Sequence, residues 1–277
     1  QVSTDAGDKD IFGALVTTAR QPQVSIQFNQ AFLQTLVNVT SSGGASGVVT
    51  PTTGTATFSS GTATTASITA VTPNTVVYQS GSEVFAEFTA DFTTPTSASS
   101  FQRIGLYNAL NGFFIGYNGL DFGIGSRLNG SDTHVVQASF NVDTLTGTAS
   151  SLFTRNGAAE AIDFTKFNVY RVRFGWLGVA PVFYEVLSPD GVWVTFHKIL
   201  FPNTAITASI ATPNLPVRLE VSKTSADSTN LQIMTACWAA GITGTQVPQS
   251  TAPAARTSQA VVVTPAQQQI FRSTFAK

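Results

Sequence analysis

The 277-residue sequence holds one cysteine, one methionine and two histidines. A lone cysteine excludes an internal disulfide and a CxxC-type metal site. Two histidines with one distant cysteine are too few for a zinc centre. Charge is scarce as well: 10% of residues are ionic, against about 25% in ordinary soluble domains. Fourteen basic and fifteen acidic residues leave a formal net charge of −1. No basic run or basic–aromatic stripe occurs, which argues against direct nucleic-acid binding through phosphate neutralisation. No stretch approaches the ~20 apolar residues needed to span a bilayer, so no membrane contact is expected. The first ten residues, Gln1 to Asp10, are polar and acidic, unlike a signal peptide.

Thr, Ser, Asn, Gln and Gly take the place of the missing charge, beside 43% hydrophobic residues. Such a chain can bury a sizeable core beneath a neutral polar surface. A surface of that kind suits a protein packed permanently against copies of itself, because few ions must be desolvated at each contact. It suits a secreted β protein equally well.

The patterning is that of strands. Val24 to Val39 begins as alternation of apolar and polar residues, the strand period. Thr40 to Asn74 is of low complexity, but its recurring β-branched residues predict strands joined by Gly turns such as Ser42-Gly43-Gly44. Glu83 to Phe92 carries a row of aromatic residues. Asn111-Gly112, Asn118-Gly119 and Asn129-Gly130 punctuate the next stretch as in an antiparallel meander, the first pair suiting a type I′ turn. Lys166 to His197 repeats the logic, with Ser188-Pro189-Asp190-Gly191 as a turn. Ala205 to Ile210, Val217 to Val221 and Leu231 to Trp238 are further candidate strands, and no helical window stands out. The expected fold is all-β, an antiparallel two-sheet sandwich of jelly-roll or lectin-like kind, over residues 24–243. Residues 1–23 and 244–277 read as extended N- and C-terminal arms, the second beginning with a Pro-, Thr- and Gln-rich linker.

The landmarks along the chain resemble, in their order, a family of virion proteins found in phages and some larger viruses. Asp10-Ile11-Phe12-Gly13-Ala14-Leu15-Val16 opens the series, followed by Arg103-Ile104-Gly105-Leu106-Tyr107 and its Asn-Gly turn. Gln137, Phe140, Asn141, Asp143, Leu145 and Gly147 form the next pattern, then Asp163-Phe164-Thr165-Lys166. Trp176-Leu177-Gly178-Val179, Gly191 to His197, and Thr212 to Arg218 complete it. The match covers nearly the whole chain and departs at Gly175, where the family favours an acidic or polar residue. The resemblance implies a structural protein of the virion without fixing its position on the particle; the expected function is that of a bacteriophage capsid-associated decoration or minor structural component, with copies of itself and other virion proteins as partners. The alternative is an adhesin on a tail or head fibre that binds a cell-surface polysaccharide.

Catalytic patterns are sparse. No Gly-x-Ser-x-Gly elbow accompanies His134 or His197, and His197, on an alternating strand beside Trp193, reads as a structural histidine. Glu83 and Glu87 share a strand face but lie roughly 13 Å apart, beyond the roughly 5–9.5 Å of glycosidase pairs. Asp121, Asp143 and Asp163 could converge in space, although turn capping is the commoner role. Trp176, Trp193, Trp238, Tyr107 and Tyr117 are aromatic candidates for a sugar platform, set against core packing. Trp176 is expected beside a central strand, where truncation to Ala would cost about 3–5 kcal/mol. Cys237, in the run Ile233 to Trp238, is expected to be a small buried hydrophobe. No cofactor, metal or catalytic residue is expected.

The candidate functional residues are apolar clusters in the arms: Ile11, Phe12, Leu15 and Val16 in one, Val261, Val262, Val263, Ile270 and Phe271 in the other. Each cluster is too short to form a core. Buried on a neighbouring subunit, each such side chain would contribute about 1.5–3 kcal/mol before the ordering cost is subtracted.

Overall fold

The computed structural model describes residues 20–30, 35–224 and 229–244. The arm clusters at Ile11, Phe12, Leu15, Val16, Val261, Val262, Val263, Ile270 and Phe271 lie outside the described residues. Eighteen strands run through the described part. They are β1 (Arg20–Gln27), β2 (Asn38–Ser42), β3 (Ser46–Thr50), β4 (Thr55–Ser59), β5 (Ala66–Val71), β6 (Glu83–Phe92), β7 (Ser100–Tyr107), β8 (Gly112–Asn118) and β9 (Asp121–Leu128), followed by β10 (Ser131–Val136), β11 (Thr154–Arg155), β12 (Ala158–Ala159), β13 (Asn168–Phe174), β14 (Val182–Leu187), β15 (Trp193–Ile199), β16 (Val217–Lys223), β17 (Gln232–Thr235) and β18 (Cys237–Thr243). The helical content described is one short 3-10 turn, Gln137–Ser139.

The strands form two large antiparallel sheets and one small hairpin. The first sheet runs β10-β9-β8-β7-β16-β5-β2. The second runs β15-β14-β13-β6, and the far edge of β6 is shared. Its first half pairs with β18, which carries β1 at its side; its last residues pair with β17, followed by β4 and β3. The break between β17 and β18 falls at Ala236, where Thr89 Oγ1 accepts both the Ala236 and Cys237 amides at 2.8 and 3.2 Å.

Alternation decides which side chains fill the sandwich. Val84, Ala86, Phe88, Ala90 and Phe92 of β6 point inward with Tyr170, Val172 and Phe174 of β13, all buried. Phe113 of β8 meets Phe174 with ring centres 5.1 Å apart, and Phe92 meets Phe122 of β9 at 5.5 Å. Tyr184 of β14 donates from its hydroxyl to the Gly125 carbonyl across the interior at 2.8 Å. These contacts join the sheets into one core, the all-β antiparallel sandwich that the periodicity predicts.

Several local expectations change. Asn129-Gly130 forms the expected two-residue turn, with φ of 52° and 82°. Asn111-Gly112 does not: Gly112 opens β8, and Asn108 Oδ1 organises the turn by accepting the Leu110 and Asn111 amides, each at 2.8 Å. Ala205 to Ile210 is not a strand but a run of bends, tied down where the Ser209 amide donates to Gly178 O at 2.7 Å. Cys237 is exposed, because its neighbour Trp238 takes the inward position at 1% exposure and strand alternation turns the thiol outward. Trp176 lies past the end of β13 and is half-buried. It closes the sandwich end by donating Nε1–H to Ile210 O at 3.0 Å and packing edge-on to Tyr78.

Both outward sheet faces are laid with paired charges. On the β6 sheet, Arg173 reaches Glu185 at 2.7 Å and Glu83 at 2.8 Å, while Arg171 reaches Glu185 at 2.6 Å and Glu87 at 3.4 Å. Arg20 also pairs with Glu87, and the Arg171 guanidinium lies 4.0 Å from the Trp193 ring centre. Burial would raise Glu185, but hydrogen bonds and charge from Arg173 and Arg171 outweigh it and hold its pKa at about 2. On the β7 sheet, Asp132 takes Arg127 at 2.6 Å and Arg103 at 2.7 Å, and Arg218 pairs with Glu220 at 3.4 Å. The Phe114 ring packs against Gly125, where a Cβ would sit 2.0 Å from it.

Candidate functional site

A cleft of about 580 Å³ opens at the end of the β6 sheet where β13 begins and β14 ends. Its walls come from three short pieces of chain. The β11–β12 hairpin contributes Arg155, the turn before β13 contributes Asp163, Lys166 and Phe167, and the end of β14 contributes Leu187, Ser188 and Pro189. Phe153, Glu160, Ala161, Asn168 and Val169 complete the lining.

Local hydrogen bonds hold each wall in place. Asp163 Oδ1 accepts the Thr165 amide at 2.9 Å and the Thr165 hydroxyl at 2.7 Å, a side-chain-capped turn. Those two bonds lower the Asp163 pKa, so the carboxylate is ionised at neutral pH with Oδ2 unused by the turn. Asn168 Nδ2 donates to the carbonyls of Asp163 and Lys166, both at 2.9 Å, pinning the turn from below. Across the cleft, Asp190 accepts from Thr154 Oγ1 at 2.7 Å, the Asn156 amide at 2.6 Å and the Gly157 amide at 3.0 Å. This exposed carboxylate latches the β11–β12 hairpin to the Ser188–Gly191 turn. Arg155 is held to Glu160 through Nε and Nη2 at 2.6 and 3.3 Å.

Two groups at the mouth are left for a ligand. Phe167 is 45% exposed, and Lys166 is exposed with no ion pair among the described residues. The cleft thus places an apolar ring, a carboxylate and an ammonium on the single turn of chain that precedes β13.

Asp121, Asp143 and Asp163 each have separate settings. Asp143 is buried and accepts from the Leu145 amide, the Leu152 amide and the Ser151 hydroxyl at 2.8, 2.6 and 2.9 Å, organising the loop that leads to the hairpin. Asp121 stands exposed at the start of β9; of the three, only Asp163 lines the cleft. Among the described residues no group of three His, Cys, Asp or Glu is placed to hold a metal ion. His197 is buried, its Nδ1 accepting the Asn141 amide at 3.3 Å, and burial lowers its pKa. Glu83 and Glu87 are committed to arginines, as described above. The aromatic candidates do not gather into one platform: Trp238, Tyr107 and Tyr117 are buried, and Trp176 and Trp193 occupy different surfaces.

The Asp163–Lys166 segment was visible in the sequence as a landmark. Phe167 as an exposed ring and the β11–β12 hairpin as a wall were not. Two-residue strands carry too little periodicity to be seen, and an aromatic next to a strand normally reads as core.

These features define a β-sandwich with a solvent-open cleft at one end. Among the described residues, no helix is long and apolar enough to cross a membrane. No protein-family model matches the sequence, and no curated protein matches it. Among solved structures, the chain is similar to the botulinum neurotoxin serotype C1 binding domain at 11% identity and TM-score 0.45, over 79% of this chain and 48% of that one. It is similar to a protein of unknown function from Shewanella oneidensis MR-1 at 10% identity and TM-score 0.46, over 84% and 92% of the two chains. A botulinum neurotoxin DC binding domain in complex with SialylT aligns at 10% identity and TM-score 0.43, over 79% and 47%. The chain spans about half the length of the neurotoxin binding domains it matches. Likeness this weak transfers neither ligand nor activity.

Proposed function

We propose that this chain is a non-enzymatic structural component of a bacteriophage virion, a capsid-associated decoration or minor structural protein that assembles through its terminal segments and sheet faces. The observation that carries the reading is the state of the two sheet faces. Arg20, Arg171 and Arg173 are neutralised by Glu83, Glu87 and Glu185 on one, and Arg103, Arg127 and Arg218 share Asp132 and Glu220 on the other. Charges already paired within the subunit need little further desolvation when a neighbour covers them, so such faces suit permanent packing. The ordered landmarks quoted above support membership of a particle.

The test is incorporation. Chain lacking residues 1–19 is expected to keep a folded sandwich, because β1 starts at Arg20, and to enter particles poorly. Normal incorporation of the truncated chain would contradict assembly through that segment.

The cleft favours a second reading, a tail- or head-fibre adhesin that binds a cell-surface polysaccharide. An exposed ring beside a carboxylate and an amide-braced turn is the arrangement such a module presents. Binding of a soluble polysaccharide by the full chain tests it.

A further inference from the structure

We infer that the cleft between the β11–β12 hairpin and the turn preceding β13 is a binding site for a pyranose unit of a neutral polysaccharide, with Phe167 as the stacking platform and Asp163 and Lys166 as the hydroxyl-binding pair. The inference rests on the adhesin reading and names its site and ligand class.

Size comes first. About 580 Å³ falls inside the range of roughly 300–1,000 Å³ typical of small-molecule sites. The cleft is open to solvent, so a chain can pass through it with one unit seated.

Lining chemistry then selects the ligand. A pyranose has an apolar C–H face and a rim of hydroxyls that both donate and accept. The Phe167 ring, 45% exposed, offers a matching apolar face, extended by Leu187 and Pro189. Asp163 Oδ2 can accept from one hydroxyl, and the Lys166 ammonium can donate to another. Asp163 and Lys166 belong to one turn, fixed by Thr165 on the carboxylate and by Asn168 beneath. The pair is therefore set before any ligand arrives, which reduces the ordering penalty of binding.

Other ligand classes fit less well. The lining cations Arg155 and Lys166 are matched by Glu160 and Asp163, and Arg155 is held by Glu160. A phosphate or polyuronate would gain one free ammonium and meet the Asp163 carboxylate. A purely apolar ligand would strip water from four ionic side chains.

Affinity electrophoresis of the full-length protein tests the site, in gels containing dextran, galactomannan or the polyuronate alginate. Retardation is expected in at least one neutral polysaccharide and not in alginate. Phe167→Ala and Asp163→Asn are each expected to weaken that retardation by about tenfold, with the thermal unfolding midpoint unchanged. Leu110→Ala serves as control, lying in the turn beside the opposite end of β13, where Phe113 meets Phe174. Neutral-polysaccharide binding insensitive to both cleft variants overturns the site while leaving the adhesin reading standing. Retardation in alginate alone overturns the ligand class. Retardation in none of the three overturns the inference and removes the support for the adhesin reading together.

Discussion

Arg171 stacks on Trp193, its guanidinium carbon 4.0 Å from the ring centre, while its Nε reaches Glu185 at 2.6 Å. Both side chains leave the sheet on the face turned away from the sandwich interior, yet Arg171 is only 1% exposed. Glu185 is the hub, bonded to Arg171, Arg173 and Thr195. Glu185→Gln removes the charge that compensates two buried arginines, and is expected to destabilise the protein by about 3–5 kcal/mol. Urea denaturation measures this directly; an unchanged midpoint would show that the arginines find other compensation.

Acid should weaken the fold in two stages. Burial lowers the pKa of His134 and His197 below the usual value. The unfolded chain therefore takes up these protons first, and stability begins to fall below roughly pH 6.5. Glu185 is held at about 2, and Asp132 is lowered by its arginines against the opposing effect of burial. Their contribution is complete above the unfolded carboxylate range of about 3.9–4.3 and is lost as the pH drops towards the folded values. Urea midpoints between pH 8 and pH 2 should decline gently, then steeply below about pH 4. A flat profile down to pH 3 would contradict the paired-charge account.

The tryptophans should separate by position. Trp238 is buried among Phe28 and Phe58, so Trp238→Ala is expected to cost about 3–5 kcal/mol. Trp176 is half-buried at the sandwich end and gives up one hydrogen bond and part of its packing, about 1–3 kcal/mol. Equal losses from the two variants would place Trp176 in the core after all.

The hairpin wall should depend on Asp190. Asp190→Ala removes the acceptor for Thr154, Asn156 and Gly157, and faster amide exchange is expected at Asn156 and Gly157 with the core strands unaffected. Unchanged exchange there would mean that the hairpin is held by other contacts.

Much of the architecture was legible in the sequence because its strands are long, alternating and turn-punctuated. Glu83 to Phe92, Phe167 to Phe174 and Val217 to Val221 all appear as strands at or near the expected positions. Errors arose where local pattern and tertiary context part. Ala205 to Ile210 has strand-like composition but no partner strand, and Cys237 has apolar neighbours in sequence although alternation with Trp238 turns it outward. The charge networks were illegible for a different reason. Arg171 and Arg173 meet Glu87 and Glu83 only because β13 pairs with β6, in a register that joins residues more than eighty positions apart. The candidate cleft likewise depends on a two-residue hairpin and a turn, brought together by Asp190.

The proposal that this sandwich is a repeating part of a virus particle is tested most directly by a density map of the intact particle. The account predicts density for the two-sheet sandwich at symmetry-related positions on head, collar or tail, with paired-charge sheet faces or terminal segments against neighbouring subunits. A fully assigned particle map with no such sandwich, in a virion whose genome encodes this chain, would contradict it.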